Sequence, residues 1–62
     1  MSLKNIIKTV DTTNSMLRTI YLDTNPANYP NSFLIDEALE KIRESIWNLA
    51  KASNLLTQAD KH

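Results

Sequence analysis

Asp36, Glu37, Glu40 and Glu44 are the densest group of side chains in this 62-residue chain that could do chemistry. Carboxylates at such spacing can share a metal ion or divide general acid and base duties. That chemistry needs an enclosed pocket, and the ordinary outcome of the spacing is a solvated helical face. Nothing else in the sequence completes a catalytic set. The only histidine, His62, is the last residue, cysteine is absent, and the abundant serines and threonines have no base placed to activate them. The lack of glycine removes Gly-rich phosphate cradles and Gly-dependent nucleophile elbows. No catalytic, cofactor-binding or metal-ligating residue is assigned, and the chain reads as non-enzymatic.

Trp47 is the single most informative side chain. On a helical wheel it lies roughly 140° from the main apolar stripe described below. Its wheel neighbours are Glu40, Arg43 and Lys51, a charged face. One reading is that the stems of Arg43 and Lys51 cover the indole, with a cation–π contact worth about 0.5–1 kcal/mol. A second is burial in a wide homodimer interface. A third makes Trp47, Arg43 and Lys51 a binding surface for another protein, since Trp and Arg dominate interface hot spots.

These residues belong to the second of two expected helices. The first runs from about Leu3 to Leu22, with Ser2 as N-cap and Leu3, Ile6, Ile7, Val10, Leu17, Ile20 and Tyr21 on one face. Thr13 and Asn14 interrupt that face where apolar residues are due. They form either a polar layer that lowers stability or a buried polar pair that fixes register. Residues 23–32 hold Pro26 and Pro30, which break helix, and Asn25-Pro26 suits one short helical turn. Tyr29 is expected to lay its ring across the open end. Ten connecting residues are ample for an antiparallel reversal. Asn31 or Ser32 caps the second helix, from Phe33 to about Ala59. Asp36, Glu37 and Glu40 near its start and Lys51 and Lys61 near its end suit the helix dipole, and Glu37–Lys41 forms a favourable i,i+4 pair.

Along the second helix Ile35, Leu39, Ile42, Ile46, Leu49 and Leu56 make a seam with a coiled-coil-like period, expected as dimer core. Beside it runs a ridge of small residues, Ala38, Ser45, Ala52 and Ala59, where a counterpart helix or the first helix could approach closely. Ordering the chain costs roughly 1.5 kcal/mol per residue, about 90 kcal/mol in all. Without disulfides or a metal, helix packing and self-association must offset it. The second helix, roughly 40 Å long against roughly 30 Å for the first, would leave part of itself unpaired in one hairpin. The expected fold is all-α, two long antiparallel helices pairing as a homodimeric four-helix bundle, in one domain spanning residues 1–62. Phe33, Leu34 and Leu55 lie off the seam and allow a second interface.

Seven basic and seven acidic residues cancel, which argues against a general nucleic-acid binder. Lys4, Lys8 and Arg18 still make the first helix mildly basic. The longest run of large apolar residues is Phe33-Leu34-Ile35, so no transmembrane span or signal-peptide core is expected. A cytoplasmic location fits a chain free of cysteine. In length and topology the chain is similar to the plasmid Rop-type RNA-binding hairpin dimers, whose antiparallel hairpins make a four-helix bundle. In size and composition it resembles the small early-region proteins of lambdoid phages and other mobile elements. That resemblance implies a modulator of host or phage development, in a bacterial cytoplasm. The expected function is a small non-enzymatic regulatory protein that acts by binding another macromolecule, with an unidentified protein as the expected partner. The alternatives are an RNA- or DNA-binding helical dimer and a structural assembly component.

Overall fold

The computed structural model describes residues 1–61; His62, the only histidine, lies outside the described residues. Two helices, α1 (Leu3–Asp23) and α2 (Ser32–Asp60), flank a single 3-10 turn at Pro26–Asn28. α1 begins at the expected Leu3, and the other three helix ends each extend one residue further than expected.

Local chemistry explains the boundaries. The Ser2 hydroxyl accepts from the Asn5 N–H at 3.2 Å, meeting one of the orphan donors that open any helix. α1 stops at Thr24, whose N–H and hydroxyl both donate to the Ile20 carbonyl, at 3.1 and 2.7 Å. Asn25 then caps the short turn through its side-chain oxygen, which accepts from the Ala27 N–H at 3.1 Å, with Pro26 at the first turn position. Asn31 precedes α2 without a side-chain capping bond, and Ser32 falls inside the helix. The expected dipole support is weak at the start of α2, while at its end Lys61 stands at the C-cap, just past the last turn. No acidic residue stands in its first turn and no basic residue in its last, and the effect fades within one turn. Lys41 pairs with Glu44 at 3.9 Å, not with Glu37.

The helices are antiparallel. Ser53 donates to the Asp11 carboxylate at 2.6 Å across the hairpin, with 42 residues between them in sequence. Counting outward from that pair, Tyr21 lies level with the Arg43 region and the two chain ends lie side by side. The first turns of α2 therefore run past α1, as its greater length requires. The 3-10 turn packs on α2 and covers part of this overhang, with Thr24 and Pro26 half-buried.

The result is a layer one helix thick. Its extents are 49 × 16 × 14 Å and its radius of gyration is 14.6 Å, against about 10.6 Å for a compact domain of this length. Ile6, Ile7, Val10, Leu17 and Tyr21 of α1 are half-buried, but Leu3 and Ile20 of the expected face are exposed. Among the described residues no hydrophobic side chain is fully buried, and the one buried residue is polar: Asn14, 8% exposed. Thr13 is exposed, so the polar interruption is a single buried asparagine and not a pair.

Candidate functional site

The six seam residues Ile35, Leu39, Ile42, Ile46, Leu49 and Leu56 are all half-buried. Within one chain only α1 and the connecting turn can cover them, so the seam is first the hairpin's own inter-helix face. The ridge divides. Ala52 is half-buried, while Ala38, Ser45 and Ala59 are exposed, so α1 does not occupy the whole ridge. Tyr29, just after the 3-10 turn, is 48% exposed, so its ring is only partly covered.

Trp47 is 65% exposed, which removes the reading in which its neighbours' stems bury it. Arg43 is paired with Glu40. Its Nε donates to one carboxylate oxygen at 3.2 Å and its Nη2 to the other, a two-pronged pair one helical turn long. These hydrogen bonds hold the Glu40 carboxyl below its ordinary value and raise the Arg43 guanidinium, which already sits near the Tyr21 hydroxyl. The sign of the linkage follows. A carboxylate with a lowered folded pKa contributes its stabilisation above the ordinary value of 4.5, and loses it as the pH falls through the lowered value. Both side chains are exposed and screened by solvent, so the effect on stability is slight, but the titration itself is measurable. Arg43→Ala is expected to return the Glu40 midpoint, followed by carboxyl NMR, upward to the ordinary value. An unchanged midpoint would show that the pair does not persist in solution.

The indole of Trp47 forms the wall between two open surface grooves. One is bounded by Arg43, Glu44 and Asn48. The other, about 330 Å³, has Ile46 and Ala50 in its floor and Arg18, Lys51 and Asn54 at its edges. Arg18 comes from α1 and joins the α2 residues only because the antiparallel register sets it level with Trp47. In the sequence it stands out merely as one cation of a mildly basic helix. The register that the Asp11–Ser53 bond defines is the signal that would have placed it. The carboxylates Asp36, Glu37, Glu40 and Glu44 do not converge: among the described residues no three acidic, histidine or cysteine side chains are grouped to hold a metal ion. No described helix is long and apolar enough to cross a membrane.

Asn14 is the other unusual group. Its side-chain oxygen is fully covered and has no hydrogen-bond partner, although Asp11 and Ser53 exchange a bond one turn away. Compared with known proteins, the chain matches no family model, no curated protein and no solved structure.

Proposed function

We propose that this chain is a small non-enzymatic regulatory protein that works as a homodimeric four-helix bundle and binds another protein through the Trp47 face. The observation that carries this reading is the area the hairpin leaves open. The single chain exposes 4961 Å². A compact monomer of 7.1 kDa would expose about 4,100 Å². The excess, roughly 900 Å², is close to the roughly 800 Å² that each partner contributes to a standard protein interface.

The antiparallel register supports one broad face as the pairing side. On helical wheels Met16 and Ile20 of α1 fall on the same broad face as Leu34, Ala38, Ser45 and Ala59 of α2, and all six are exposed. Large aliphatic residues on one helix beside small residues on the other suit close packing of a second hairpin. The opposite broad face carries Arg18, Arg43 and Trp47, and is left for a partner of another kind. A regulatory role of the sort found in phage-encoded accessory proteins, in a bacterial cytoplasm, fits a chain whose chemistry is confined to binding.

Sedimentation equilibrium tests the dimer. At micromolar concentration the expected mass is twice that of the chain, and thermal stability is expected to rise with concentration because association stabilises only the folded state. A monomer whose melting is independent of concentration would overturn the bundle.

A further inference from the structure

We infer that the groove between Arg18 and Lys51 takes an acidic peptide segment of a partner protein, with a large aliphatic side chain against Trp47 and a carboxylate between the two cations. This rests on the reading of the Trp47 face as a partner surface and names the chemistry that would recognise it.

Three observations carry the inference. The groove floor of Ile46 and Ala50, with the indole as its wall, is apolar and of a size to accept an aliphatic side chain. Its edges hold two cations from different helices, and among the described residues neither has an ion pair, whereas Arg43 nearby is neutralised by Glu40. The charge is therefore uneven along the face. Arg18, Lys51 and Asn54 line this groove, while Glu44 lines the adjoining one and Glu40 holds Arg43 beside it. A partner acid is attracted at the Arg18–Lys51 end of the indole and not at the other, where Arg43 and Glu44 are already paired with Glu40 and Lys41, and this sets the direction in which the segment lies. A phosphodiester chain fits this pattern poorly. It needs a run of cations along its path, and here it would meet Glu44 about one helical turn from Trp47 and Glu40 about two turns away.

Trp47 is the only tryptophan, so its fluorescence reports the site directly. The protein is titrated with a synthetic amphipathic peptide that carries aspartate and glutamate beside leucine. A matched peptide with asparagine and glutamine in their place, and a single-stranded oligothymidylate, serve as comparisons. The expected result is a saturable blue shift with the acidic peptide, weaker by about tenfold or more for the amide peptide and for Lys51→Glu or Arg18→Glu, and weakened by salt. Both substituted side chains are exposed, and circular dichroism verifies that helicity is kept. If Arg18→Glu unfolds, Lys51→Glu decides alone. Equal affinity for the two peptides, no response to either, or tighter binding of the oligonucleotide would overturn the inference. So would a Trp47 emission in the free protein that shifts to the blue as concentration rises, which would set a second copy on the groove. Sedimentation of the same samples separates the two readings: a dimer that ignores the acidic peptide overturns the groove's assignment and leaves self-association standing.

Discussion

Replacing Ile42 or Leu49 by alanine is expected to abolish the helical circular dichroism near room temperature for at least one of the two variants. Truncating a fully buried Leu or Ile costs about 2–5 kcal/mol, from lost transfer energy and the cavity left behind. A chain of this length has a total stability of about 3–9 kcal/mol at the usual value per residue, so one such loss is comparable to the whole. In the hairpin alone these side chains are only half-buried, and the cost there would be nearer 1–2 kcal/mol. The size of the effect therefore reports whether a second hairpin completes their burial. Urea midpoints measured at two protein concentrations give the number. Wild-type melting of both variants would mean that the seam is not core at all.

Asn14→Leu is expected to stabilise the fold by about 1–3 kcal/mol, the penalty for a buried carbonyl oxygen left without a partner. Leucine has the same branched heavy-atom skeleton with bulkier methyl ends, and adds apolar contact where α1 meets α2. In a chain this small, each kcal/mol raises the melting temperature by about 4–8 °C. The more telling readout is the state of association. A lone buried asparagine can hold helices in one register at a cost in stability, because every alternative register leaves it worse placed. On that account the leucine variant melts higher but sediments as a mixture of species. A variant that is both more stable and uniformly of wild-type mass shows that Asn14 costs stability without specifying the assembly. A destabilised variant would show that the carbonyl is hydrogen-bonded in solution.

The largest features of this protein are local in origin and were legible in its residues. Ser2 as a cap, the Asn25-Pro26 turn and two long apolar periodicities depend on hydrogen bonds and spacings within a few residues. For that reason both helices and the turn between them lie within a residue or two of where the sequence put them. All six seam residues are half-buried for the same reason, since a period of three and four residues places them on one stripe of any helix. Charge pairing was read less well. Exposed side chains choose among several partners of similar energy, so Lys41 meets Glu44, and Arg43 meets Glu40 instead of shielding Trp47.

What the tertiary structure alone decided is everything that depends on the register between the helices. A wheel of α1 says that Thr13 and Asn14 interrupt an apolar face, but not that Asn14 is buried while Thr13 is exposed. A wheel of α2 puts Trp47 among charges, but cannot say that Arg18, 29 residues earlier, stands beside it. Nor can either wheel show that Met16 and Ile20 share a face with the exposed part of the small-residue ridge. The relative rotation and level of two helices follow from how many side chains interlock at once, and that sum is not present in either helix alone.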